Sequence, residues 1–514
     1  MRRRLLARRS LGGVGLLAAA CALLLAACRS GDGEDASYLR VAIANSPTTF
    51  DPRVGVDEAS QRMQSLVYSS LFILNDHLDV VGDLAARWDT PDPLTFLVHL
   101  KPGVRFHDGR PLTSADVVYT YRSLLDPAFT SGRKGAYRML AAVDAVDAST
   151  VRFTLKEPFG SFLVNLVMGI VPDGAKNLAR QPVGSGPYRF VRAIADDRVV
   201  LTRFDGYFGT PAANPGLVLR IVPDDTMRGL ELRKGSVDLV VNDLGTDIVR
   251  DLERRGEVHV TPSPGCDFAY VGLNLRDPLL ADVRVRRALA HAVDRQAIVQ
   301  HLRRGLASEA AGILPAISWA AVPDLPTFAY DPVRARALLD EAGHRDPDGD
   351  GPLPRFTLTL KSSNAELARL QSTVIQQNLR QVGIAVEIRS YEFATFLSDV
   401  IRGNFQLCTL QWVGVSDPDM LRRVFHSAQV PPVGWNRGFF KDPEVDALIE
   451  RATRSVDRDE RLRLFGDAQR RIAEAAPYIS LWHKTNVIVS QPDIRVGPLS
   501  PTADFSVLAT ASRR

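Results

Sequence analysis

The stretch LAARWDTPDPLTFLVHLKPGVRFHDGRPLTSADVVYTY, residues 84–121, is dense in instructions for local structure. At its centre, Asp108-Gly109-Arg110-Pro111 is turn chemistry, with glycine free to take a positive φ and proline fixing its own. Thr113 then starts a helix, and Asp116 three residues on completes the spacing of a capping box. A turn joined to a helix start at fixed spacing specifies architecture rather than catalysis.

Outward from it, strands and helices alternate along the whole chain. YLRVAIA (38–44) places Leu39, Val41 and Ile43 on one face, which predicts a half-buried strand. TVRFTLK, VVLTRF, LVLRIV, FTLTLK and AVEIRSY repeat that alternation. Asp331-Pro332 opens a helix that Gly343 ends, and Asp442-Pro443 opens another with Val445, Leu448, Ile449 and Ala452 along one stripe. A further helix starts at Val283, with Val285, Ala288, Leu289 and Ala292 on its apolar side. The class is α/β or α+β, and 514 residues exceed one compact core, so several lobes are expected. No linker rich in Pro, Gly or Ser divides the body, which suggests strands crossing between lobes.

The N-terminus carries its own signal. MRRRLLARRS is basic, and Leu11 to Ala27 holds no charge, the pattern of a signal peptide; an anchor helix is the other reading. Leu25-Ala26-Ala27-Cys28 resembles the lipobox of bacterial lipoproteins, which implies lipidation of Cys28; Cys21 has Ala18 where that box wants leucine. Acyl chains on Cys28 would tether the body to a membrane by a lipid anchor, through the small polar segment 29–37. Five of the 63 basic residues precede Cys28 with no acid among them, so the mature chain has 58 basic against 59 acidic side chains. That balance removes the electrostatic case for nucleic acid. Cys266 and Cys408 form no CxxC and read as buried free thiols.

Enzyme signatures are missing. The chain has no phosphate loop and no dinucleotide fingerprint, and the histidines are not spaced as HExxH. Ser185 in Gly184-Ser185-Gly186 lacks the flanks of a nucleophile elbow. Asp346-Pro-Asp348-Gly-Asp350-Gly351 imitates a calcium loop, but Thr357 stands where the bidentate glutamate is due. No catalytic residue, metal or cofactor is assigned.

Several segments, in one order, resemble a single family: the large solute-binding receptors of ABC importers known as extracellular solute-binding proteins family 5, the peptide, dipeptide and nickel-binding cluster. Residues 84–121 match its tryptophan and its F-x-L-x-x-G-V-x-F-x-D-G-x-P-x-T-x-x-D-V signature. PVGSGPYRF (182–190) matches a G-T-G-P-Y-x-F turn with Ser185 for threonine, and YVGLNLRDPLLADVRVRRALAHAVDRQAIV (270–299) matches the entry to the second lobe. YDPVRARALLDEAG, the DPDGDG turn, QWVGVSDPD, FKDPEVDALIERA and APYISLWHKTN complete the set. The resemblance implies an α/β, two-lobed periplasmic-binding-protein-like fold with an extra subdomain in the first lobe. The first lobe would take residues 36–64, 179–268 and 486–514, the inserted subdomain 65–178, and the second lobe 269–485.

It also implies a cleft. Trp412 matches a tryptophan that flanks ligand in peptide-binding relatives, with Gly414 and Val415 on the same loop. Those relatives carry an aspartate at the position of Val415, which pairs with a peptide's ammonium, and the loop here is slightly shorter. Asp57 and Glu58 match a first-lobe segment that touches ligand, Ser362 and Asn364 a strand-end loop, and Phe393 an aromatic wall. The bland readings are solvated loop acids for Asp57 and Glu58, core for Phe393, and a helix cap for Asp417-Pro418. With Val415 unable to pair an ammonium, either the ligand lacks one or Asp57 or Glu58 supplies the charge. The expected protein is a monomeric, exported, lipid-anchored receptor in the periplasm or outside the cell, handing a peptide-like solute to an ABC permease. A sensor for a membrane signalling protein and a hydrolase sharing the shell are the rival readings.

Overall fold

The computed structural model describes residues 37–349 and 351–514, so Cys28 and the uncharged run before it lie outside the described residues. Among the described residues no helix is long and apolar enough to cross a membrane.

One mixed sheet of eleven strands runs through the molecule. Two long strands, His259–Leu273 and Tyr478–Ser490, make it continuous. Their outer parts pair with each other, and Tyr478–Ser490 also pairs with Leu239–Val241, which leads on to Leu39–Ile43 and Gly216–Ile221. The inner part of the first crossing strand, Phe268–Leu273, still pairs with the second crossing strand on one side and gains Leu407–Trp412 on the other, followed by Phe356–Ser363 and Ile384–Tyr391. Two α/β halves therefore share two covalent strands, which is the physical content of the missing linker. The fold is α/β and two-lobed.

Pairing between the crossing strands is interrupted after Pro264 opposite Thr485 and resumes at Phe268 opposite His483. Gly265, Cys266 and Asp267 thus form an irregular step where the chain passes between halves. Gly265 lies close to the partner strand there, since a Cβ would meet the Lys484 carbonyl at 2.7 Å.

A separate four-stranded antiparallel sheet spans Ala85–Asp92, Thr95–Leu100, Leu140–Asp147 and Thr150–Leu155. It has its own core, built around Phe96, Phe106, Tyr121, Phe153 and Phe162. The 84–121 signature tethers this unit to the main body. His107 N–H donates to the Gly184 carbonyl (2.8 Å) and its imidazole bonds the Gly186 carbonyl (3.0 Å). Burial pushes the His107 pKa down to about 4, so the ring is neutral at neutral pH. Gly184 is needed because a Cβ there would lie 2.0 Å from the Val67 carbonyl oxygen. Ser185 is completely buried at this turn.

The local punctuation follows the sequence closely. Asp116 accepts the Thr113 N–H at 2.8 Å and the helix Ser114–Leu125 follows. Asp331 caps Pro332–Glu341 through the Arg334 N–H, and Asp442 caps Pro443–Arg454. Gly343, at φ +90°, ends the former. One expectation is corrected: Leu39–Ile43 is covered on both faces, not half-buried. Leu39, Val41 and Ile43 enter one core, and Ala42 enters another beneath Val240 and Val487. Its parallel neighbours on both sides place it inside the sheet, where helices pack on both faces.

Candidate functional site

The Gly265–Asp267 step interrupts the pairing of the two strands that join the halves of the sheet. Asp57 is the N-cap of the helix Glu58–Val67 and accepts the Ser60 N–H at 2.9 Å and the Thr48 hydroxyl. Burial pushes its pKa up, but the Thr48 and Ser60 hydrogen bonds outweigh this and hold it below the ordinary range. Glu58 pairs with Arg62 at 2.5 Å, and Arg62 also binds Asp243 at 3.1 Å. Asp243 in turn accepts the Ala44 N–H at the end of the first strand. Both acids are thus engaged by neighbouring side chains.

The other candidate residues have differing environments. Ser362 is fully buried, with its hydroxyl 3.1 Å from that of Ser390. Asn364 is exposed, and its backbone N–H donates to the Tyr391 carbonyl. Phe393 is 52% exposed and meets Phe396 edge-on at 6.5 Å, so it is not a core residue.

Trp412 is only 7% exposed. Its ring stacks with Tyr270 at 6.0 Å and Trp435 at 5.4 Å, with the Arg437 guanidinium 4.4 Å from its centroid. Val415 is 1% exposed and joins the same core, so its side chain offers nothing to solvent. Gly414 between them is exposed at φ +68°, with open space where a Cβ would stand. The loop is pinned from the crossing strand. Val415 N–H donates to the Cys266 carbonyl at 2.9 Å, and Gly414 N–H to Asp267 Oδ1 at 2.9 Å. No motif singles out Asp267; its signal in the sequence is its place just before the strand residues 268–273, in PSPGCDFAYVGL.

Asp417 and Asp419 face inward. Asp417 Oδ1 accepts the Asp419 N–H (2.8 Å), and the Asp417 carbonyl accepts the Met420 N–H, which leads the chain into the helix Met420–Phe425. The same carboxylate accepts the Ser161 hydroxyl from the four-stranded unit. Asp419 pairs with Arg422 (2.6 Å) and Arg423 (2.9 Å). Cys266 and Cys408 are free and buried, and burial pushes each thiol up to about 12. Among the described residues, no group of three or more His, Cys, Asp or Glu is placed to hold a metal ion.

Comparison with known proteins agrees with this geometry. The sequence profile of the bacterial extracellular solute-binding proteins, family 5 (middle region) matches residues 79–430. The glutathione-binding protein GsiB of Pectobacterium atrosepticum is 31% identical, over 86% of this chain and 87% of its own length. The oligopeptide-binding protein AppA of Bacillus subtilis is 29% identical, over 93% of this chain and 91% of its own. The solved structure of HbpA2 from Haemophilus parasuis superposes with a TM-score of 0.83 at 25% identity, covering 93% of this chain and all of that one. A profile covering most of the chain, with a relative this similar along nearly all of it, places the protein: it belongs to the bacterial extracellular solute-binding proteins of family 5.

Proposed function

We propose that this protein is the lipid-anchored substrate-binding component of an ABC importer, capturing a peptide-like small solute by closure of its lobes. The observation that carries the reading is the pair of shared strands stepping at Gly265–Asp267 between two separately packed halves. Such a junction permits hinge closure on a ligand, which membrane subunits then recognise. The strand pairings support a first lobe of residues 36–64, 179–268 and 486–514, with 65–178 inserted and 269–485 as the second lobe. Relatives named for glutathione and oligopeptides support a ligand with a peptide backbone. Trp412 and Gly414 border the site from the second lobe, Asp57 and Glu58 from the first, and the exposed Phe393 and Asn364 lie at its rim.

Isothermal titration of the mature protein with glutathione and a panel of di- to tetrapeptides tests the ligand class. Binding of at least one of them at micromolar strength or better supports it, and no binding by any of them sinks it. Labelling of cells with a fatty-acid analogue tests the anchor: wild type should be marked and Cys28→Ser should not.

A further inference from the structure

Asp267 occupies an unusual electrostatic position. It is the last residue of the irregular step, directly before the pair formed by Phe268 and Trp412. Its carboxylate accepts one hydrogen bond, from Gly414 N–H, although an ionised carboxylate has about four acceptor sites. Among the described residues no Lys, Arg or His nitrogen forms an ion pair with it. Two basic residues stand near it on the second crossing strand. His483 is buried with its pKa pushed down to about 4 by desolvation, so it brings no charge at neutral pH. Lys484, opposite the step, is in no ion pair either.

Three acids of the neighbouring segments are engaged by their own surroundings. Asp57 is held by Thr48 and Ser60, while Glu58 and Asp243 are both held by Arg62. Asp267, with a single hydrogen bond to its carboxylate, keeps acceptor capacity to spare. It is half-buried beside the exposed Gly414, with the rings of Phe268, Tyr270 and Trp412 stacked behind the loop. A carboxylate placed so loses water when the lobes close, and losing it without a cation is costly.

Resting on the reading of the protein as a receptor for peptide-like solutes, we infer that Asp267 binds the terminal ammonium of the ligand across the step between the lobes. Gly414 is the complement: its N–H orients the carboxylate, and its missing side chain leaves the approach open. Val415, packed into the core, takes no part in the charge recognition.

The test uses the tightest peptide of the titration panel and its N-acetylated form, with wild type and Asp267→Asn. Asparagine keeps an oxygen for the Gly414 N–H, so the loop should hold, and an unchanged unfolding midpoint checks this. Asp267→Asn should weaken the free-amine peptide by about thirtyfold or more, the loss expected when a desolvated charge is left unpaired. It should leave the N-acetylated peptide within about threefold, since no charge pair is then lost. Wild-type affinity for the free amine should also fall above about pH 8 as the α-amine loses its proton, a readout independent of any variant's folding. Equal binding of the free amine by wild type and Asp267→Asn, or of free and acetylated peptide by wild type, would overturn the assignment. A wild type that binds no peptide of the panel overturns the ligand class itself, and the assignment with it, so the two failures are told apart.

Discussion

Ser161 donates its hydroxyl hydrogen to Asp417 Oδ1 at 2.7 Å, joining two residues 256 positions apart in the chain. The serine belongs to the unit built around the four-stranded sheet, and the aspartate follows the Trp412 loop. Arg461 completes the junction, donating to Ser161 Oγ at 2.6 Å and to the Gly160 carbonyl at 2.9 Å. Gly160 is itself tight against the end of the helix Pro443–Arg454, since a Cβ would lie 2.0 Å from the Ser455 carbonyl. Burial pushes the Asp417 pKa up and the Arg461 charge opposes that shift, so each charged group relies on the other.

Arg461→Met should therefore cost more than its packing suggests. It leaves Asp417 buried without its cation, and about 3–5 kcal/mol of stability should be lost. Ser161→Ala removes only the bridging hydroxyl and should cost about 1–2 kcal/mol. Urea unfolding of the two variants gives the comparison, and an Arg461→Met protein as stable as wild type would refute the coupling.

Trp412→Ala should behave as a core substitution. The ring is almost fully buried and stacked with Tyr270 and Trp435, so truncation should cost about 3–5 kcal/mol. Denaturant unfolding measures this directly. An unchanged midpoint combined with lost ligand affinity would instead assign the ring to the ligand interface alone.

Asp83 gives a pH signature. Its carboxylate accepts the Ser70 N–H at 3.0 Å, and burial pushes its pKa up to about 6 from an ordinary 3.8. A carboxyl raised on folding contributes stability that is complete below its unfolded pKa and disappears as pH rises through about 6. Asp83→Asn keeps the acceptor and removes the buried charge. It should be more stable than wild type at pH 8, by up to about 3 kcal/mol, and close to it at pH 4. Thermal unfolding across pH 4–8 checks the slope; parallel curves for the two proteins would contradict it.

The sequence by itself determined the elements and their punctuation, because caps, turns and apolar periodicity are properties of neighbouring residues. Thr113 with Asp116, Asp331 with Pro332, and Asp442 with Pro443 stand where local physics puts them. The ordered motifs also made the family legible along most of the chain. Tertiary structure alone decided how charges are shared, because an acid's partners come from distant segments. Asp57 and Glu58 look free in the sequence, yet Thr48, Ser60 and Arg62 engage them. Asp417 looks like a simple cap, yet it also receives a hydrogen bond from Ser161 of the four-stranded unit. Asp267 attracts no notice in PSPGCD, and only the pairing of the crossing strand with Leu407–Trp412 sets its carboxylate beside Gly414. Local sequence fixes backbone conformation, whereas which carboxylate keeps spare acceptor capacity depends on every chain that folds against it.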